Sequence, residues 1–222
     1  MVRQFCRWLL YKRLGWTKEV TVAHPDKYII CLAPHTSNWD FLLGQLYMRA
    51  EGYTINFLMK KEWFKWPLGV LFRRIGGIPV WRSKKLSMTD NLAATAESEK
   101  IFHLCITPEG TRSLNPDWKK GFYFIAMKAQ IPILLYAIDY EKRLIRCTRS
   151  MIPTGDIDSE MREIKLYFKD CKGKRPELFT IGDLDSGKKE RSYSYGLVCC
   201  YMAAVHTAQS SMRDRPQTLP QP

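Results

Sequence analysis

The 222-residue chain lacks any uncharged apolar run of about 18 residues, so no membrane-spanning helix is expected. The nearest approach, residues 122–138, is interrupted by Lys128, Gln130 and Pro132. No early apolar run with a small-residue cleavage site is present, so a secretory signal is not expected. There is no Cys-x-x-Cys pair, and the cysteine count is an odd seven. A disulfide framework and a zinc site are therefore not expected, and a reducing compartment fits best. A Gly-x-Ser-x-Gly elbow is missing too, which argues against a serine hydrolase of the usual α/β type. Residues 182–188 fill the first seven positions of a phosphate-binding loop, but Lys189 stands where Ser or Thr would hold magnesium. No internal repeat occurs.

What remains is an ordinary globular composition, 45% hydrophobic and 26% charged, long enough for one domain plus an extension. The charge balance is less ordinary. Lys and Arg exceed Asp and Glu by 35 to 22, a formal +13. Such an excess favours anionic partners: nucleic acid, anionic lipid headgroups or phosphorylated substrates.

Short apolar runs alternate with helical patterns. Strands are expected over 28–32, 54–59, 78–81, 102–107 and 133–138, and helices over 38–49, 67–75, 88–100 and 121–129. The alternation argues for an α/β fold: one domain with a mostly parallel, twisted sheet flanked by helices. Ligands of such sheets bind beyond the carboxyl ends of the strands, where the polar motifs fall. Residues 1–20 read as a short amphipathic helix, with Phe5, Trp8 and Trp16 on one side and Arg3, Arg7, Lys12 and Arg13 around the rest. It suits either a membrane interface or packing on the domain. The domain is expected over 21–182, and 183–222 as a partly disordered C-terminal tail.

Three motifs carry chemistry. In Pro34-His35-Thr36-Ser37-Asn38-Trp39-Asp40, a histidine follows a buried strand and an aspartate falls in the next helix's first turn. Asp40 can orient His35 and leave Nε2 free as a base. Ser37 with Asp40 also fits a capping box, in which Asp40 only caps the helix, and one carboxylate can do both. Thr107-Pro108-Glu109-Gly110-Thr111-Arg112 marks a sharp turn at a strand's carboxyl end. There Gly110 permits a positive φ, Arg112 offers a planar fork for phosphate, and Glu109 can steady that fork. The plain alternative is a solvated surface ion pair. In the third motif, residues 76–82, two glycines and a short strand lead to Arg82 at the same sheet edge.

Together these motifs resemble the glycerolipid acyltransferase family, of the lysophosphatidic acid acyltransferase type. His35 to Asp40 matches its HxxxxD motif, the run GGIPVWR its second block, TPEGTRS its third, and Ile131-Pro132-Ile133 its fourth. The run from Trp118 to Asp139 looks like small bacterial members. The resemblance implies transfer of an acyl group from a thioester donor, on acyl carrier protein or coenzyme A, to the hydroxyl of 1-acyl-glycerol-3-phosphate. His35 and Asp40 would be catalytic; Arg82, Glu109, Gly110, Thr111 and Arg112 would bind the acceptor. No metal or cofactor is implied. Ser37, Asn38 and helix-start N–H groups are candidates for polarising the carbonyl. Thr107 and Trp81 depart from residues that many members carry, which leaves amino-acid lyso-lipids and other lysophospholipids open as acceptors.

A lipid substrate implies an anionic membrane surface as partner, at the cytoplasmic face and without spanning. Trp8, Trp16, Trp63, Phe64 and Trp66 with their basic neighbours are the candidate docking residues. A non-catalytic basic protein that binds membranes or nucleic acid is the competing class. Charge alone does not explain His35 and Asp40 at this spacing beside Glu-Gly-Thr-Arg, so nucleic acid is not expected as a partner.

Overall fold

The computed structural model describes residues 1–80 and 85–185. Its helices are α1 (Val2–Arg7), continued as one π-helical stretch Trp8–Arg13, α2 (Asn38–Glu51), α3 (Leu68–Arg74), α4 (Lys85–Ser98), α5 (Gly121–Ala129) and α6 (Ile157–Tyr167). Its strands are β1 (Thr17–Val20), β2 (Lys27–Ala33), β3 (Asn56–Lys60), β4 (Gly77–Val80), β5 (Phe102–Ile106), β6 (Ile133–Asp139), β7 (Leu144–Cys147) and β8 (Ser150–Met151). They form one sheet in the order β1-β7-β6-β2-β5-β3-β4. Pairing is parallel except where β7 and β8 run antiparallel to successive stretches of β6.

The middle of this sheet is dictated by side-chain alternation. On β2, Ile29, Cys31 and Ala33 join one buried cluster, and Tyr28 and Ile30 join the other. On β6 the same split puts Ile133, Leu135 and Ala137 on the first face and Leu134, Tyr136 and Ile138 on the second. A strand buried on both faces reads as a continuous apolar run, which is how both runs look in the sequence. On the first face Phe122, Ile125 and Ala126 of α5 pack with Met161 and Ile164 of α6. On the second, Leu43, Tyr47 and Met48 of α2 pack with Cys6, Leu10 and Trp16.

The helix expected over 1–20 stops at Arg13, and Thr17–Val20 instead pairs with β7 at the sheet edge. Its two sides part company. Cys6 and Leu10 are buried, while Val2, Phe5 and Trp8 are exposed. Glu51, at the end of α2, fastens it: its carboxylate takes Arg7 at 3.0 Å, Tyr11 Oη at 2.7 Å and Lys18. Arg3 Nη2 donates to the Glu51 carbonyl at 2.8 Å, placing a cation at the negative end of α2. Trp16, expected as a docking residue, is buried and meets Tyr140 edge-on at a centroid distance of 5.2 Å. Burial wins here because β1 carries the residue beside it into the sheet. Strand β1 replaces the end of that expected helix, and strands β7 and β8 and helix α6 fall where no element was expected. The tail expected over 183–222 lies outside the described residues from position 186 on; residues 182–185 form a single 3₁₀ turn.

Leu10 is completely buried and Trp8 is 53% exposed. Leu10→Ala is expected to lower unfolding stability by about 2–5 kcal/mol. Trp8→Ala should change it by no more than about 0.5 kcal/mol. Denaturant titration of the two variants checks the assignment of faces.

Candidate active site

Pro34 to Asp40 leave the carboxyl end of β2, the strand between β5 and β6. The loops that follow those neighbours therefore meet on either side of this turn. Ser37 caps α2, its Oγ accepting from Trp39 N at 3.2 Å. Asp40, with no exposed surface, reaches back, and its Oδ2 accepts from the backbone N–H groups of Thr36 and Ser37, each at 2.8 Å. Oδ1 accepts from Tyr140 Oη at 2.8 Å. Tyr140 follows β6 directly, and burial together with the Asp40 charge pushes its phenol well up.

His35 Nδ1 lies 3.3 Å from Asp40 Oδ2, and the imidazole remains 20% exposed. The contact is close but out of line for a hydrogen bond, so Nδ1 finds no acceptor. Bonds of this kind often tighten only when substrate binds. Asp40 closes the capping box and stands beside His35 Nδ1 without a hydrogen bond to it.

From the other side, Glu109 turns inward. It is 1% exposed, and its Oε1 accepts from the His35 backbone N–H at 2.6 Å. Burial pushes its carboxyl up to about 7; the His35 N–H works against that, and the Asp40 charge adds to it. Its loop is pinned: Gly110 N donates to Thr107 O at 3.1 Å, Asn115 Nδ2 to Glu109 O at 2.8 Å and Lys119 N to Pro108 O at 2.6 Å. Gly110 takes φ +66, the left-handed conformation the turn requires.

His35, Asp40 and Glu109 are therefore brought together. Gly110, Thr111 and Arg112 stand exposed on the same loop. Among the described residues Arg112 forms no ion pair with Glu109, contrary to the expected bracing. A carboxylate that accepts a buried backbone N–H is better satisfied than one in a solvated pair. Arg82, and Trp81 beside it, lie outside the described residues. Of the groups considered for polarising a carbonyl, Thr36 and Ser37 N–H are already committed to Asp40, whereas Asn38 is exposed.

Sequence reading missed Tyr140, which holds Asp40, and Thr36, whose N–H does the same. Tyr140 sits just past a strand's carboxyl end, the one signal that could have found it. An apolar crevice of about 60 Å³ is lined by Asp40, Phe41, Gly44 and Tyr47 of α2 and by Leu32 and Ile138 of the sheet. A larger cavity, about 470 Å³, opens at the opposite sheet edge near Arg49, Arg73 and Arg74.

Residues 17–139 match a protein-family model described as Acyltransferase. Among solved structures, the crystal structure of the 1-acyl-sn-glycerophosphate (LPA) acyltransferase PlsC from Thermotoga maritima is similar in fold, with a TM-score of 0.50 and 19% identity over 75% of this chain and 74% of that one. No curated protein matches the sequence.

Glu109 gives the site a pH signature. From the ordinary value of 4.5 up to about 7, the unfolded chain releases this proton while the folded chain keeps it. The native state binds more protons there, so stability falls as pH rises through that window, by something of order 3 kcal/mol. Glu109→Gln is expected to remove this slope. Denaturant unfolding of both proteins at intervals across the window checks it; parallel curves would overturn the assignment.

Proposed function

The chain belongs to the Acyltransferase family, and on that premise we propose that it moves a fatty acyl group from a thioester donor to the free hydroxyl of 1-acyl-glycerol-3-phosphate, giving phosphatidic acid. The observation that carries this reading is His35, partly open to solvent, backed by a fully buried Asp40 at the carboxyl edge of a parallel sheet.

In this reading His35 Nε2 takes the hydroxyl proton as the acceptor oxygen attacks the thioester carbonyl. A C–O bond forms, and the tetrahedral adduct then collapses with breakage of the C–S bond. The thiol leaves with the proton that His35 had taken, which returns the imidazole to its neutral form. Asp40 stabilises the imidazolium in between and holds the ring's orientation, so no covalent enzyme intermediate is needed. Tyr140 fixes the Asp40 rotamer through Oδ1 and so positions the pair from behind. Glu109 fixes the backbone at His35 from the opposite side. Gly110, Thr111, Arg112 and Arg82 would receive the acceptor's phosphate and glycerol.

A lipid acceptor places the site at an anionic membrane surface, on its cytoplasmic face, with acyl carrier protein or coenzyme A bringing the donor. No helix of the described residues is long and apolar enough to cross a membrane. Exposed apolar side chains do occur next to the site: Trp39 at 61% and Leu42 at 53% on the first turns of α2. Trp63, Trp66, Leu68, Val70 and Leu71 are exposed on and before α3, with Phe5 and Trp8 on the N-terminal helix. Lys60, Lys61 and Lys65 flank the tryptophans, a combination suited to a headgroup layer.

Purified protein incubated with lysophosphatidic acid and each donor type is expected to form phosphatidic acid. His35→Ala should slow transfer by about 100- to 10,000-fold while lysophosphatidic acid still binds. Transfer that survives this change would rule out the mechanism. Tyr140→Phe should lower kcat on the order of tenfold with little change in KM, because it loosens a positioning contact and removes no substrate contact. Steady-state kinetics of the two variants separate these roles.

A further inference from the structure

We propose that Lys172, Lys174 and Arg175 form a second phosphate-binding wall beside His35, and that this wall grips the phosphomonoester of the acceptor lipid; the assignment of the ligand rests on the reaction proposed above.

Residues 172–175 read Lys-Gly-Lys-Arg, three cations and no acid. Their backbone is held at the site by two hydrogen bonds and one close approach. Tyr140 N donates to the Lys172 carbonyl at 2.8 Å. Arg175 N donates to Thr36 Oγ1 at 3.1 Å. Gly173 lies flush between them: a Cβ there would stand 2.7 Å from Thr36 Oγ1 and 3.1 Å from Pro34 Cβ. Thr36, the residue after His35, is 2% exposed and lies under this loop. A loop whose only task was to be solvated would not need a close backbone approach to the HxxxxD turn.

Lys172, Lys174 and Arg175 are exposed, and none forms an ion pair among the described residues. Lys174 Nζ stands 5.5 Å from the centre of the Tyr140 ring, whose hydroxyl holds Asp40. Three like charges crowded within four residues repel one another, and a bound anion relieves that repulsion. The loop that carries Arg112 follows β5 on one side of the His35 turn. This loop contacts the turn from the β6 side, through Tyr140. The two basic loops therefore border the site from opposite sides.

Reach decides which phosphate is meant. In the acceptor only two carbons separate the reacting hydroxyl from the phosphate ester. In the thioester donor a whole pantetheine arm separates the sulfur from its nearest phosphate. Cations packed against the catalytic turn are within reach of the first and far from the second.

The test uses a short-chain, water-soluble 1-acyl-glycerol-3-phosphate and the matching monoacylglycerol, which lacks the phosphate. Calorimetry compares their binding to His35→Ala protein with and without Lys174→Ala and Arg175→Ala. The added changes are expected to weaken binding of the phosphate ligand by about tenfold or more and to leave the monoacylglycerol unchanged. The weakened binding should also lose part of its salt dependence. In the protein that retains His35, the same changes should raise KM for lysophosphatidic acid and leave donor KM alone. Lys174→Arg, which keeps the charge, should restore most of the affinity, and thermal melts check that the exposed substitutions leave the fold intact. Unchanged affinity for the phosphate ligand, or a rise confined to donor KM, would overturn the proposal. If wild-type protein transfers nothing to lysophosphatidic acid, the reading of the reaction fails, while the binding comparison still decides the loop.

Discussion

A carboxylate with no solvent contact is the constraint on which the site depends. Asp40 cannot stay buried unless its oxygens are satisfied, and the fold supplies two backbone N–H groups and a phenol for them. Those bonds set the shape of the turn from Thr36 to Asp40, start α2 and bring His35 Nδ1 within 3.3 Å. One arrangement therefore caps α2 and sets the Asp40 carboxylate beside His35. Loss of any donor would leave charge in a region that water does not reach.

The parallel sheet makes this arrangement possible. β2 lies between β5 and β6, so the segments leaving those three strands converge at one edge. Glu109 arrives from β5 and Tyr140 from β6, and each takes hold of a different part of the same turn. Burial is the main reason Glu109 holds its proton up to about 7, and the nearby Asp40 charge adds to it. The surplus positive charge of the chain is relevant here: exposed Arg112, Lys174 and Arg175 border a site whose substrates would be anionic.

The N-terminal segment shows how one amphipathic stretch can serve two environments. Leu10 and Cys6 belong to the core, and Phe5 and Trp8 do not. Glu51 secures the segment to α2, and α2 begins at the catalytic turn. Trp16 continues the connection by bracing the Tyr140 ring. A helix with exposed Phe5 and Trp8 is thus joined to the turn that carries His35 and Asp40 through ordinary packing.

Much of this was legible from residue order alone. The apolar runs at 28–32 and 133–138 determine two buried strands, because no other placement hides both of their faces. The sequential spacing of His35 and Asp40 determines their contact, since a strand-to-helix turn brings such positions together. The positive φ at Gly110 was legible for the same local reason. β7 and β8 were not, because strands of four and two residues are too short to show a period; α6 was passed over although Ile157, Met161 and Ile164 recur at helical spacing. Glu109 as a brace for His35, Tyr140 as a partner of Asp40, and Gly173 against Thr36 are contacts across 74, 100 and well over 100 residues. Local periodicity carries no information about such pairs. Only the closing of the sheet, which seats β2 between β5 and β6, decided which side chains surround the imidazole.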